Sequence, residues 1–199
     1  PLHAGDAPAP YERPPFAPAG FDDPDLLLAA ARYAAAHCHT RSAQDQYAAA
    51  SHARAVASQT SLAAEIVPIN GVAQDAFPRT LTERQLARFP AIAHTDDPID
   101  DATRDQHAVS TVAISPKADG AALVLLMSNA ACARYGVQAS AQWLGHQSVG
   151  GAPDMPLVLA WQAAKALLQS RGLGFTDLAA IELHDAFAVQ GLQWPTTLL

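Results

Sequence analysis

Cysteine is nearly absent. Cys38 and Cys132 are the two in 199 residues, and neither sits in a spacing typical of zinc or redox motifs. That excludes a disulfide framework and points to a reducing, cytoplasmic setting. Positive charge is also scarce, with 12 Lys and Arg against 19 Asp and Glu and a formal charge of −7. No basic footprint for nucleic acid exists, and an anionic ligand would need a local basic pocket. No apolar run approaches the roughly 20 residues of a membrane helix, since residues 121–127 and 155–160 are the longest. The opening Pro-Leu-His-Ala-Gly has no Met, basic region or apolar core; no secretory signal is visible, and the sequence reads as an internal piece of a longer chain. What is abundant is apolar surface: 50% of residues are hydrophobic, enough to bury a sizeable core.

Residues 1–24 carry Pro1, Pro8, Pro10, Pro14, Pro15, Pro18 and Pro24, an extended lead-in, because proline removes an N–H and biases its predecessor away from helix. An Ala-rich helix follows to about residue 37, with Asp25 as its N-terminal signal. Ala43, Tyr47, Ala50 and Arg54 recur at helical spacing, which predicts an amphipathic helix over 42–58. Residues 65–69 read as an edge strand closed by Pro68, 75–79 as a loop and 82–88 as one or two helical turns. Residues 121–127 read as a strand buried on both faces, 142–146 as a further strand and 179–183 as another buried one. Between them come a short helix from Ser128 to a Gly136 stop, a helix over 156–171 ended by Gly172, and a helical start at 186. This alternation predicts a layered α/β unit.

Most chemistry-bearing residues have an ordinary explanation. Asp96, Asp97, Asp100, Asp101 and Asp105 read as a solvated acidic loop, lacking the glycine turn and terminal glutamate of a calcium loop. His37-Cys38-His39 point in different directions on a helix end and have no second ligand set, so no metal site is expected. Cys132 reads as a structural thiol, and Gly145, Gly150 and Gly151 match neither dinucleotide nor P-loop order. Ser148 lacks a nucleophile elbow, which leaves an α/β hydrolase unsupported. His184-Asp185 stands out, because it follows an apolar strand and precedes a helix, the edge where open α/β sheets place ligands. An imidazole there could hold a water or donate to a carbonyl, or simply be satisfied by local backbone; both readings stay open.

Several stretches, in order, resemble the thiolase superfamily. Arg41-Ser42-Ala43-Gln44-Asp45-Gln46-Tyr47-Ala48 with Ser51-His52-Ala53-Arg54-Ala55 is similar to its Arg-x-x-Gln-Asp-x-Tyr-Ala…Ser-His-x-Arg-Ala helix. Glu65-Ile66-Val67-Pro68 resembles its Glu-Ile-Val-Pro segment and Asp75-Ala76-Phe77-Pro78-Arg79 its Asp-Glu-x-x-Arg loop. Ser115-Pro116-Lys117-Ala118-Asp119-Gly120-Ala121-Ala122 resembles Ser-x-x-x-Asp-Gly-Ala-Ala, and His184-Asp185-Ala186-Phe187-Ala188 stands where most members have Asn-Glu-Ala-Phe-Ala. The resemblance implies an incomplete α/β/α thiolase-like fold with a mainly helical inserted loop domain. Residues 1–118 would be that coenzyme A-binding loop domain, 119–137 the end of the N-terminal half and 138–199 the start of the C-terminal half.

The activity implied is acyl-CoA C-acyltransfer, by thiolysis or Claisen condensation. Coenzyme A or acyl-CoA would be the substrate and no cofactor would be tightly bound. Arg79 matches the arginine against the nucleotide end, where a planar guanidinium can stack and pair with phosphate. Ser115 matches the serine near the pantetheine arm, and Met155 stands in a coenzyme-side turn. His184 would replace the asparagine that fixes a water in an oxyanion site. Departures fall on ligand-facing turns: Leu26-Leu27-Leu28 replaces the usual Met-Gly, residues 108–114 lack Thr-Ala-Gly-Asn, and Met155-Pro156-Leu157-Val158 lacks Gly-x-Gly-Pro. The family's nucleophilic cysteine and Gly-His-Pro histidine are not among these residues, so this chain by itself is expected to be inactive. The rival is a non-catalytic thiolase-like subunit that binds coenzyme A or supports an active partner. Either a homo-oligomer or a thiolase-like partner subunit is expected, with neither nucleic acid nor membrane.

Overall fold

The computed structural model describes residues 17, 20–95, 105–152 and 155–194. The acidic run from Asp96 to Asp101 and most of the proline-rich lead-in lie outside the described residues.

Helix α1 (Leu26–Ala36) starts because the Asp25 carboxylate accepts from the N–H groups of Leu27 and Leu28 at 2.9 and 3.2 Å. Its alanines then allow close approach, and Ala29, Ala30, Ala31, Tyr33 and Ala34 are buried. Cys38, at a φ of 55°, reverses the chain, and the His39 N–H closes on the Ala34 carbonyl at 2.8 Å. Thr40 caps helix α2 (Arg41–Ala57) through the Ala43 N–H at 3.1 Å. A short α3 (Gln59–Leu62) follows. Thr82 and Gln85 form a reciprocal capping box on α4 (Glu83–Leu86), with Thr82 N–H to Gln85 Oε1 at 2.8 Å.

Strand β1 (Ala91–Ala93) pairs antiparallel with β2 (Val109–Ser110), Ala91 opposite Ser110 and Ala93 opposite Val109. A 3₁₀ turn, Thr111–Ala113, leads to an antiparallel bridge between Ile114 and Phe187. Helix α5 (Asn129–Tyr135) runs from a Ser128 cap to left-handed Gly136. Helix α6 (Leu159–Ser170) continues the 3₁₀ turn Pro156–Val158 and ends at Gly172, with the Leu173 N–H on the Leu168 carbonyl at 2.9 Å. The last helix is α7 (Ala188–Gly191). The core gathers the buried face of α1, Ala93, Val109, Ala113, Leu157, Phe187, Ala188 and Val189. Around α6, Trp161 stacks on Phe175 at 4.5 Å, and both meet Trp194 edge-on at 5.2 and 5.8 Å.

The helices fall where the caps and periodicity put them; four expected strands do not form. Over 65–69, Asn70 and Gly71 both take positive φ and fold Ile69 back on Val72, so the run ends in a tight hairpin with one bridge. Residues 121–127, 142–146 and 179–183 are irregular. Leu123, Val124, Leu125 and Leu126 are 92, 81, 73 and 74% exposed. A β-strand exists only when a neighbour accepts and donates its backbone hydrogen bonds, and no described residue pairs with these segments. Among the described residues the one sheet therefore has two strands, and strand does not alternate with helix after residue 120 as expected.

Candidate functional site

The residues of α2 at positions 41, 44 and 45 share one stripe, as spacings of three and four require. This stripe is occupied with holding the protein together. The Arg41 guanidinium donates to the Phe89 carbonyl and lies 3.7 Å from Asp45 and 3.9 Å from Asp105, while its backbone N–H reaches the Gln106 carbonyl at 2.7 Å. His94 lies 3.3 Å from Asp105. The buried Ser110 hydroxyl donates to Asp45 at 2.5 Å. Burial raises the Asp45 carboxyl above its ordinary range, against the Ser110 hydrogen bond and the Arg41 charge, which both lower it. Fully buried Gln44 donates to the Ala108 carbonyl at 3.4 Å, and its Oε1 has no partner among the described residues.

The adjacent stripe, Tyr47, Ala48, Ser51 and His52, forms one wall of a cleft of about 120 Å³. The opposite wall is Val112, Ala113, Ser115 and Pro116, with Asp185 and Ala188 closing one side. Two contacts fix that geometry. The Ser115 N–H bonds the Ala186 carbonyl at 2.9 Å, and the Tyr47 hydroxyl donates to Asp185 Oδ2 at 2.8 Å. The Tyr47 phenol is pushed well above its ordinary value, by burial first and then by the hydrogen bond to and charge of Asp185, with Arg54 opposing. It stays a neutral donor. A Cβ on Gly191 would fall 2.0 Å from the Tyr47 oxygen, so the ring occupies the space that any other side chain would need. The His52 imidazole is held below its ordinary value, by burial and then by the charge of Arg79.

The cleft thus presents neutral hydroxyls and an imidazole facing one carboxylate, with cationic Arg79 to the His52 side. Ligand pockets for drug-sized molecules span about 300–1,000 Å³, and this cleft is smaller and open to solvent on one side.

Of the residues singled out from the sequence, Ser115 lines the cleft. Exposed Arg79 stands beside it, 6.0 Å over the Phe89 ring. His184 does not face it. Successive side chains of extended backbone point to opposite sides: Asp185 enters the cleft, whereas His184 borders an apolar groove beside α6 with Leu168, Ile181 and Trp194. Met155 packs half-buried on the core, away from the cleft. Tyr47, Asp185 and Gly191 were not assigned roles from sequence; a glycine inside the helix expected from 186 was the available signal. Neither Cys38 nor Cys132 borders the cleft. Among the described residues no group of three or more His, Cys, Asp or Glu is placed to hold a metal ion, and no helix is long and apolar enough to cross a membrane.

Comparison with known proteins follows this pattern. Residues 21–130 match the family model for the thiolase N-terminal domain. The chain is 32% identical over 178 residues to a 3-ketoacyl-CoA thiolase of Erwinia tasmaniensis, covering 83% of this chain and 43% of that protein. It is 32% identical over 158 residues to a probable acetyl-CoA acetyltransferase of Mycobacterium tuberculosis, covering 77% and 39%. The solved acetyl-CoA acetyltransferase of Syntrophomonas wolfei superposes with a TM-score of 0.66 at 22% identity, over 83% of this chain and 41% of that one, which shows a shared fold. The chain spans less than half the length of these relatives. Since the thiolase family model takes in more than half of its residues, and an incomplete version of the fold accompanies that match, this chain belongs to the thiolase family.

Proposed function

We propose that the chain is the central part of a thiolase-type acyl-CoA C-acyltransferase and that its cleft grips the pantetheine arm of coenzyme A. One observation carries this: Ser51 and His52, Ser115, and Asp185, which come from three separately matched segments, meet in a single narrow cleft. Pantetheine is a narrow arm with amide and hydroxyl groups, and neutral hydroxyl and imidazole partners complement it without the desolvation cost of a charge. The cation at the His52 side, Arg79, suits the phosphates at the other end of the molecule.

His184 keeps its proposed part as holder of an oxyanion-site water, joined through the backbone to the anchored Asp185; Met155 contributes packing. The proposed division at 118 and 137 makes the α1–α4 region the coenzyme-gripping domain. Covalent transfer needs a thiolate beside a base, and neither cysteine is placed in the cleft. The 199 residues should therefore show no turnover in a free-thiol assay with acyl-CoA. Calorimetry with coenzyme A should show binding, weakened about two- to fivefold by Arg79→Ala, as for loss of one exposed charged contact. Turnover by this chain alone, or absence of any binding, overturns the reading.

A non-catalytic subunit is favoured by the substituted turns at 26–28 and 155–158. It predicts binding as well, and is distinguished by a change in the rate of an active thiolase when the chain is added. An oligomer built with itself or with such a partner, and a cytoplasmic location in keeping with two free cysteines, complete the proposal.

A further inference from the structure

Asp185 brings a carboxylate to the cleft wall, and among the described residues no cation lies within ion-pair distance of it. Its two oxygens differ. Oδ2 accepts the Tyr47 hydroxyl at 2.8 Å, whereas Oδ1 has no hydrogen-bond partner among the described residues. Tyr47 cannot swing away, because its ring fills the space where Gly191 lacks a side chain. The backbone that follows Asp185 is held as firmly: the Ala186 carbonyl accepts the Ser115 N–H at 2.9 Å, Phe187 bridges Ile114, and the Phe187 N–H donates to Gln190 Oε1 at 3.2 Å. Oδ1 is therefore a preorganised acceptor.

Among the described residues that line the cleft, no other side chain has this character. Ser51 and Ser115 donate as well as accept, a neutral His52 ring does both, and the Tyr47 proton is committed to Asp185. An ionised carboxylate accepts only, and it repels an anion. A ligand that brings an N–H to this wall gains a charge-assisted hydrogen bond, while one that brings an ester oxygen sets lone pair against lone pair. We propose that Asp185 Oδ1, positioned by Tyr47, determines the specificity of the cleft by accepting an amide N–H of the ligand, which places the amide at Asp185 and the phosphates toward Arg79. This rests on the pantetheine reading above and adds to it the group that picks out an amide. Tyr47 is a positioning residue, since it acts through Asp185.

The test is calorimetry on the 199-residue chain with pantetheine and with two analogues in which one or the other amide N–H is replaced by an ester oxygen. Pantetheine should bind about tenfold or more tighter than one of the two esters, as for a hydrogen bond to a charged group. Tyr47→Phe, which keeps the ring against Gly191, should shrink that ratio to about threefold or less by freeing the carboxylate. Asp185→Leu should abolish it. A carboxylate with a structural role alone would lower affinity for all three ligands alike and leave the ratio unchanged, which overturns the proposal. Should Asp185→Leu fail to fold, the ratio is read in Tyr47→Phe with Asp185→Leu, because removing both partners of a hydrogen bond costs less than stranding one. Arg79→Ala should weaken coenzyme A and leave pantetheine unchanged; weakening of both overturns the assigned direction. Equal binding of pantetheine and both esters by the unaltered chain overturns the role of Asp185 and leaves the coenzyme reading standing. Failure to bind either coenzyme A or pantetheine overturns that reading and the role of Asp185 with it.

Discussion

Helix α2 and the segment 119–127 are both rich in matched or apolar residues, and they meet opposite fates. Around α2, four polar residues of the motif have partners far along the chain: Arg41 with Phe89 and Gln106, Gln44 with Ala108, Asp45 with Ser110, Tyr47 with Asp185. In 119–127 the side chains that should form a core face water. A helix satisfies its own backbone, so it needs only a surface to lie on, whereas a strand depends on a second segment for every hydrogen bond. The helical region finds its partners among the described residues; the segment 121–127 finds no backbone partner among them.

Four measurements would break or sharpen this contrast. The largest effect is expected for Gly191→Ala, since the new methyl would fall on the Tyr47 ring. Forcing it aside should cost about 1–3 kcal/mol in chemical denaturation, as overpacking does, and weaken coenzyme A binding by disturbing the cleft. Unchanged stability would mean that α7 does not press on α2. Next, Ser110→Ala removes the hydroxyl from the Asp45 carboxyl, both groups being buried. A loss of about 1–3 kcal/mol is expected, and adding Asp45→Asn should not increase it by the full cost of that single change.

A smaller effect concerns acid. His39 and His52 have pKa values lowered by burial, helped by His37 and His107 in the first case and by Arg79 in the second. A histidine with a depressed folded pKa binds its proton more readily when unfolded, so stability falls as pH drops below the ordinary histidine value of about 6.5. Asp45, raised, acts the other way: its contribution improves as pH falls through its raised folded pKa toward its ordinary value. Thermal melts should therefore show Tm declining from pH 7 to pH 5, with a shallower decline in His39→Asn. A rising Tm would mean that Asp45 dominates. The smallest effect is expected for Val124→Thr, which at 81% exposure should change stability by less than about 0.5 kcal/mol. A larger loss would erase the distinction between the two regions.

The helices were legible in the sequence because their signals are local: Asp25 and Ser128 as caps, Gly136 and Gly172 as stops. The strands were misread because an apolar run records what a segment tends to bury, and nothing within the run says whether a neighbour is present. At 65–69 the local signal existed, in the Asn70-Gly71 pair, and outranked the β-branched composition. Ser115 and Arg79 were singled out through their motifs, and the structure places the first in the cleft wall and the second beside His52. Tyr47 and Asp185 were not recognised as a pair, since their hydrogen bond joins positions 138 residues apart, and no single-sequence pattern links such positions.

That same bond, with the Ile114–Phe187 bridge beside it, makes the carboxyl-terminal end a clasp on the amino-terminal helices. A protease cutting once in the exposed stretch 138–142 would sever the covalent thread without releasing the fragments, and the nicked halves should travel together through a sizing column until the clasp is opened by denaturant.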